Sequence, residues 1–383
     1  MTIRSGLTLL FGKALAGMLG HVIDVVAVVA VVATILGVAQ TLGFGVDQFV
    51  AGLTRIGIGG LMDVDGGAST AGIVIALLVI MGLSTLSALF GVGKGIKWLS
   101  NINMVLSIIL LGFFIIFGAT WFGFNAMFVG LWDYLIALPG MSFNVFASDG
   151  VEGSEAFKLA QWQGWWPVFY WAWWIAFAPF VGLFLARISR GRTIREFVLG
   201  ALVVPALMCF VWFAWAGGTA IDLELNGGSG GVIYDAGNGD KIFAMTEFML
   251  SPISQALSYA MALLIVVLLL TFLVTSADPA VLIVNTINAA GDEGPKSRPH
   301  ILFWGAALAL VVGGLLVSGG TTEIQTAMVI GALPFSVVMA LVAVALLKAI
   351  YNDTRREKAG VATAFDNIEG AAGNGIPSGL AAE

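Results

Sequence analysis

Charged residues are scarce in this sequence of 383 residues. Asp, Glu, Lys and Arg make up 10%, whereas 59% of the residues are hydrophobic and the mean hydropathy is +0.99. A chain with so few polar residues cannot cover a water-facing surface, so a soluble domain is excluded. Cysteine is nearly absent as well. Cys209 is alone, which excludes an intrachain disulfide.

Histidine is also rare, and its two occurrences, His21 and His300, have no second soft ligand at metal-binding spacing. No nucleophile–base pair, metal cluster or cofactor loop can be assembled from the sequence motifs. We therefore expect neither an enzyme nor a resident cofactor, and nothing in the sequence indicates a nucleic-acid partner.

Long apolar segments are what the sequence has instead. Windows of about 19 residues predict eight membrane spans. Of the 17 Lys and Arg residues, all but Arg55, Lys158 and Lys241 fall on the side of the two termini, which the positive-inside rule places in the cytoplasm. The predicted spans are 20–43, 70–92, 102–123, 165–186, 196–216, 253–275, 300–318 and 326–349.

These spans predict an all-α polytopic membrane protein with about eight transmembrane helices. We assign 1–350 to the membrane domain and 351–383 to a cytoplasmic, disordered tail, because its end is rich in Gly and Ala and cannot bury a core. Segment 124–162 is too polar to cross the bilayer and predicts an amphipathic helix on the outer surface. The glycine-rich segment 226–239 predicts a flexible external connection.

Aromatic residues concentrate in the fourth span. Tyr170, Trp173, Trp174 and Phe177 follow i, i+3, i+4, i+7 spacing and share one helix face. If the helix enters the bilayer near Trp165, the two tryptophans lie about 12–14 Å deep, near the middle of a hydrocarbon core about 30 Å thick. An aromatic cluster at that depth can hold a quaternary ammonium ion by cation–π attraction. The alternative is aromatic packing between helices.

Polar residues mark the sixth span. The hydroxyls of Thr275 and Ser276, together with backbone carbonyls released by Pro279, are hard oxygen donors that match an alkali cation. The alternative is that both hydroxyls bond back to their own helix. Asp278 is potentially intramembrane, and an acid at that depth is a functional-site hypothesis, although it could also cap the following segment.

The first span contains isolated polar residues among Val, Ala, Ile and Leu. Thr34, Gln40 and Thr41, taken alone, predict hydrogen bonds between helices.

Three stretches resemble the betaine/carnitine/choline transporter (BCCT) family. Segment 169–197 looks like the family signature, and 272–278 is similar to its tenth helix. Segment 20–24, followed by Thr34 and 42–45, is similar to its fifth helix. The resemblance extends to about residue 350, so that the first span corresponds to family helix five and the last to helix twelve.

The resemblance implies a partial LeuT-type inverted-repeat bundle, because family helices one to four have no counterpart here. Such repeats place the substrate at the midplane between discontinuous helices. The implied function is sodium-coupled symport of a quaternary-ammonium or related onium compound, such as glycine betaine, choline or carnitine, for osmoprotection. The protein would be an N-terminally truncated form of the transporter and would reside in the plasma or inner membrane. It would form a homotrimer through segment 124–160.

The alternative function is that of a non-transporting membrane remnant that acts as a scaffold or sensor. On the main interpretation, we expect the 383-residue chain by itself to give no sodium-dependent uptake, because half of the rocking bundle would be absent. Reconstitution with the upstream helices should then restore transport.

The resemblance also assigns roles to individual residues. Trp173 and Trp174 correspond to tryptophans that contact the trimethylammonium group or its pathway, with Phe177 and Tyr170 on the same aromatic face. We expect both tryptophans to face a cavity between spans one, four and six, and Thr275 and Ser276 to direct their oxygens toward the place of family helix three. The implied sodium ligands or neighbours are Thr275, Ser276 and the Phe272 carbonyl at one site, and Thr34 and Phe180 at the other, where Val38 replaces a threonine of some members.

Overall fold

A computed structural model describes residues 3–12, 18–63, 66–90, 95–189, 191–289 and 297–361. Within these ranges the chain is helical and has no sheet; an isolated bridge joins Met62 and Ala68. Among the described residues, eight helical segments are long and apolar enough to cross a membrane. The predicted all-α, polytopic fold is therefore confirmed.

The helices follow one another with short connections, and three of them continue through wider helical turns at 126–130, 199–203 and 213–217. The helices are α1 Ile3–Phe11, α2 Met18–Arg55, α3 Thr70–Phe90, α4 Gly95–Phe117, α5 Thr120–Asn125, α6 Leu131–Phe143, α7 Glu155–Ile188, α8 Ile194–Val198, α9 Val204–Trp212, α10 Gly218–Leu225, α11 Lys241–Leu250, α12 Gln255–Asn288 and α13 Arg298–Lys358.

The eight apolar segments are not the eight predicted spans. Thr120–Phe143, which we expected to be an amphipathic surface helix, is itself long and apolar enough to cross a membrane. Its side chains are mostly exposed, and it is held to the rest of the bundle by contacts such as Phe124 against Trp215, with ring centroids 6.1 Å apart. The last two predicted spans, 300–318 and 326–349, both lie in α13, on either side of a break at Gly319 and Gly320.

Helix α13 contains a kink that separates these two spans. Gly319 and Gly320 have non-helical backbone angles, and Gly320 has φ +68° and ψ −150°. This region is essentially open to glycine alone. The second half of α13 then continues past the predicted domain end at 350 to Lys358, so 351–358 is helical. Residues 362–383, the rest of the predicted tail, lie outside the described residues.

Helix α2 is the centre of the bundle, since it packs against α3, α7, α12 and α13. Glycines allow two of these contacts to be very close. A Cβ atom at Gly37 would lie 3.0 Å from the Phe177 ring of α7, and one at Gly45 would lie 2.0 Å from Leu273 of α12. Small residues of this kind let membrane helices approach backbone to backbone. The sequence thereby brings the aromatic helix and the hydroxyl-bearing helix onto one central helix.

The glycine-rich loop after α10 is ordered around one carboxylate. Glu224 accepts backbone N–H groups from Gly231, Ile233 and Tyr234 at 3.0, 2.8 and 2.7 Å. The Lys241 ammonium donates to the Tyr234 carbonyl at 2.6 Å and so closes the loop. The interpretation of 226–239 as a flexible connection is therefore wrong, because its turns are held by charge-assisted hydrogen bonds.

Replacing Gly320 by Ala should destabilise the protein by about 1–3 kcal/mol, because an L side chain disfavours the backbone angles at the kink. Gly314→Ala is the matched control. It lies in the same helix, and a Cβ atom there would meet no atom within 4 Å. Thermal unfolding in detergent micelles should show a lower midpoint for Gly320→Ala only. Equal midpoints would contradict the role of the kink.

Replacing Glu224 by Ala should release the loop, because three backbone N–H groups lose their common acceptor. Limited proteolysis of the purified protein should then cut within 226–240 several times faster. The control is Asp222→Ala on the same helix, since the Asp222 carboxylate accepts the Asn226 side-chain amide, at 2.9 Å, and no backbone N–H of the loop. Cleavage at the same rate in both variants would argue against this loop structure.

Candidate functional site

The aromatic face of α7 forms a continuous ladder of rings. Tyr170 stacks on Trp173 with centroids 6.4 Å apart, and Trp173 meets Phe177 edge to face at 6.5 Å. Phe177 in turn contacts Phe180 at 5.9 Å. Helical spacing alone accounts for this order, because residues three and four apart are neighbours on a helix surface.

A pocket of about 230 Å³ opens beside this ladder. It lies between α2 and α7 and brings together all four predicted substrate residues with one residue from α2. Helix α12 contributes none of the lining side chains, so the pocket joins the first and fourth predicted spans but not the sixth. The lining residues are Thr41, Tyr170, Trp173, Trp174 and Phe177.

The two tryptophans occupy different positions in the pocket. Trp173 is half-buried and meets Phe44 of α2 edge to face, with centroids 5.8 Å apart. Trp174 is 71% exposed, and Tyr170 is 48% exposed. The pocket therefore presents aromatic faces from one side and is open on the other. A cation bound there would be covered by aromatic rings on one side only.

Thr34 lies in α2, on the side of that helix that contacts α7. It is fully buried, and its Oγ1 has no hydrogen-bond partner. Gly37 and Thr41 follow at i+3 and i+7 and share its helix face. Val38 is also buried, so the position one turn later supplies an apolar side chain and no oxygen.

The expected hydrogen bonds between helices are not formed by two polar residues of α2. Thr34 and Gln40 are buried, yet neither the threonine hydroxyl nor either amide atom has a partner. That interpretation is therefore wrong for both. An unpaired buried polar group costs about 1–3 kcal/mol, so these positions carry a cost that packing does not explain.

The hydroxyl pair of α12 sits beside α4. Thr275 Oγ1 lies 2.9 Å from the Thr271 carbonyl and 3.1 Å from the Phe272 carbonyl, to which it donates. It also accepts the Asn103 Nδ2 group of α4 at 3.0 Å. The first part of this geometry is the bonding back to the helix that the alternative interpretation expected. Ser276 is half-buried next to it.

The structure thus groups the candidate residues by helix pair. The aromatic residues and Thr34 lie at the contact of α2 and α7, whereas Thr275 and Ser276 lie on α12, with Thr275 bonded to α4. Phe44 and Asn103 take part in these contacts, but they were not predicted from the sequence as site residues. Phe44 could have been found, since it follows Thr41 by three residues on the same helix face. Asn103 is an isolated amide in an apolar span, which is the corresponding signal.

Comparison with known proteins identifies the family of this chain. Residues 1–355 match BCCT, the betaine/carnitine/choline family transporter. The chain belongs to the BCCT family. The resemblance is confirmed, and so is the expectation of a multi-pass membrane protein of a transporter family and not an enzyme.

The BCCT chain is similar in sequence to several known transporters. It is 35% identical over 355 residues to a glycine betaine/proline/choline transporter of Vibrio parahaemolyticus, covering 93% of this chain and 59% of that protein. It is 36% identical over 369 residues to the high-affinity choline transport protein of Escherichia coli K12, covering 95% and 51%. For the glycine betaine transporter OpuD of Bacillus subtilis, the values are 34% over 357 residues, 93% and 64%. The BCCT chain therefore spans between half and two thirds of the length of these relatives.

Replacing Thr275 by Val should destabilise the protein by about 1–3 kcal/mol, because the Asn103 amide loses its buried acceptor. The matched control is Thr271→Val on the same helix. The Thr271 hydroxyl bonds only to carbonyls of its own helix, so the expected change is within about 0.5 kcal/mol. Thermal unfolding in lipid nanodiscs measures both. Equal losses in the two variants would contradict a specific link between α4 and α12.

Proposed function

We propose that this protein acts in sodium-coupled transport of a small quaternary-ammonium or related onium compound, such as glycine betaine, choline or carnitine. The observation that carries the proposal is the pocket between α2 and α7, which is lined by three kinds of aromatic ring. Family membership and the substrates of the named relatives support the same substrate class.

The pocket suits an onium group by its chemistry. The rings of Trp173 and Tyr170 are close to parallel, with an angle of 29° between their planes. Their faces present negative π-electron density to a cation. Cation–π contacts contribute about 0.5–1 kcal/mol when exposed and about 2 kcal/mol when water is excluded. The Thr41 hydroxyl at the same pocket offers a hydrogen bond to the polar end of such a substrate. Tight binding therefore requires that the open side of the pocket be covered.

The ion assignments use one unpartnered hydroxyl in α2 and a group of neighbouring oxygen atoms in α12. We assign one sodium position to Thr34, whose buried hydroxyl has no partner, and we assign Phe180, whose ring contacts Phe177, to the same position. We assign the other to Thr275, Ser276 and the Phe272 carbonyl, two of which already lie 3.1 Å apart. Hydroxyl and carbonyl oxygens are ligands for hard cations.

The membrane potential, acting on the sodium ions that move inward, is sufficient to drive uptake. Each monovalent cation that moves inward down 100 mV releases about 2.3 kcal/mol, and accumulating a neutral zwitterion 1000-fold requires about 4 kcal/mol. Two sodium ions would supply this from the potential alone. Accumulation of such compounds would serve osmoprotection.

The distribution of Lys and Arg supports cytoplasmic termini in a plasma or inner membrane. Helices Thr120–Asn125 and Leu131–Phe143 supply an exposed apolar surface for a homotrimer. Trp132 and Ile136, on one face of the second helix, are 64% and 62% exposed.

Uptake of radiolabelled choline and glycine betaine into proteoliposomes tests this function. One arm uses the 383-residue chain, and the other uses the chain fused to the part of OpuD that it does not match. Saturable, sodium-dependent uptake in either arm supports transport, and we expect it in the fusion. Its absence from both arms, in protein shown to be folded, would favour the scaffold or sensor function instead.

Within the arm that transports, Trp173→Ala should weaken apparent substrate affinity about ten-fold, since a loss of about 1.4 kcal/mol of cation–π attraction corresponds to that factor. Trp171→Ala is the matched control, because Trp171 lies on the same helix, is 69% exposed and does not line the pocket. Equal effects of the two substitutions would contradict the aromatic site.

A further inference from the structure

Helix α11 packs against the C-terminal end of α2, the end that faces outward if the chain termini are cytoplasmic. Its Phe243 is buried and fits a notch at Gly52 of α2. A Cβ atom at Gly52 would lie 2.6 Å from the Phe243 ring, and one at Gly239, just before α11, would lie 3.1 Å from the Gln48 backbone. Helix α11 is therefore seated directly on the backbone of the central helix.

A network of ion pairs joins the same two helices. Arg55, the last residue of α2, donates its Nε–H group to Asp240 Oδ1 at 2.9 Å and an Nη2–H group to the other oxygen of that carboxylate. An Nη1–H group of Arg55 donates to Glu247. Asp240 directly precedes α11, and Glu247 lies two turns further along it. Both carboxylates thus share one guanidinium, and the bidentate pair with Asp240 fixes its orientation.

The charge balance around this network is negative. Among the described residues, Asp240 and Glu247 are the charged groups that act on Arg55. Lys241 follows Asp240 in sequence, but its ammonium donates to two backbone carbonyls of the preceding loop. Asp47 of α2, two turns before Arg55, adds another carboxylate and accepts a backbone N–H group. If Arg55 lost its charge, Asp240 and Glu247 would face each other as like charges.

Water and dissolved ions can reach this network. The side chains of Arg55, Asp240 and Glu247 are 33%, 21% and 47% exposed. Behind them, between α2, α11 and α12, lies a cavity of about 120 Å³ that the uncharged side chains of Ser258 and Tyr259 also line, and this volume can hold several waters. Salt screens charges in such surroundings, since the Debye length falls from about 10 Å at 0.1 M to about 3 Å at 1 M.

We propose that Arg55, Asp240 and Glu247 form a salt-sensitive latch that holds α11 on the end of α2. At low ionic strength the ion pairs keep α11 in its seat. As ionic strength rises, screening weakens them, while the apolar contact of Phe243 remains, so that α11 leaves its seat more often without detaching permanently. The latch acts on the helix that lines the aromatic pocket through Thr41. It goes beyond the proposed function, because it works without substrate.

Hydrogen–deuterium exchange of the full 383-residue chain in lipid nanodiscs, read by mass spectrometry on segment 242–250, tests the latch. We expect exchange to rise about two- to five-fold between about 0.1 M and about 1 M potassium chloride, which is the equilibrium effect of losing an exposed ion pair. The same rise in sodium chloride, and none in sucrose of equal osmolality, identifies screening. A rise confined to sodium, a rise in sucrose, or no rise in either salt would overturn the proposal.

The variant Arg55→Gln should reverse the sign of the salt effect. Without the guanidinium, Asp240 and Glu247 repel each other, so segment 242–250 should exchange faster at low salt than in the unmodified chain. Added salt then screens the repulsion and should slow the exchange. A loss of packing alone would not produce this reversal, so a salt effect of unchanged sign in Arg55→Gln would contradict the latch.

The matched control is Lys241→Gln, which removes one positive charge from the same helix. Because the Lys241 ammonium bonds to backbone carbonyls and not to a carboxylate, the salt-dependent rise in segment 242–250 should remain, and its loss would argue against the assignment to Arg55. The salt series on the unmodified chain decides the proposal even if Arg55→Gln fails to fold. Since no substrate is present, failure here is distinguishable from failure of transport.

Discussion

The close contact of α2 with its neighbours is the constraint on which the site depends. At Gly37 the backbone of α2 approaches α7 so nearly that a Cβ atom would lie 3.1 Å from the Ala176 backbone. That approach lets Thr41 and Phe44 reach the aromatic ladder and turns a row of rings on one helix into a pocket. A bulkier residue would hold the helices apart. In a membrane, where apolar side chains gain little from leaving lipid, such packing is a main source of helix association.

Within this tightly packed and apolar bundle, the unsatisfied polar atoms are informative. Thr34, Gln40, Asn103 and Asp278 are buried and have side-chain atoms without partners. Native bundles leave few such groups, because each reduces the free energy of unfolding. Their positions on α2, α4 and α12 fall near the residues that we propose as ion ligands. The cost is understandable if these atoms are ligands of cations that move through the protein.

Much of the helical architecture could be predicted because hydropathy is a local property. Spans such as Thr70–Phe90 and Gly95–Phe117 lie close to where composition placed them. The prediction failed where a tertiary contact or an uncommon backbone conformation determines the local structure. The backbone angles of Gly319 and Gly320, at the break between the last two spans, were not predicted, and Glu224 orders a loop that composition alone suggested to be flexible. Neither the conformation of a glycine pair nor the convergence of three N–H groups on one carboxylate is visible in composition.

The sequence by itself determined the membrane-protein class, the family and the aromatic face of α7, since periodicity places Tyr170, Trp173 and Phe177 on one side of any helix they form. Only the tertiary structure decided what that face meets and which oxygens are free. Asn103 and Thr275 are 172 residues apart in the chain, yet they share a hydrogen bond. Asp278 is fully buried, and neither of its carboxylate oxygens has a hydrogen-bond partner. Such pairings depend on how the helices pack, and no local pattern encodes that packing.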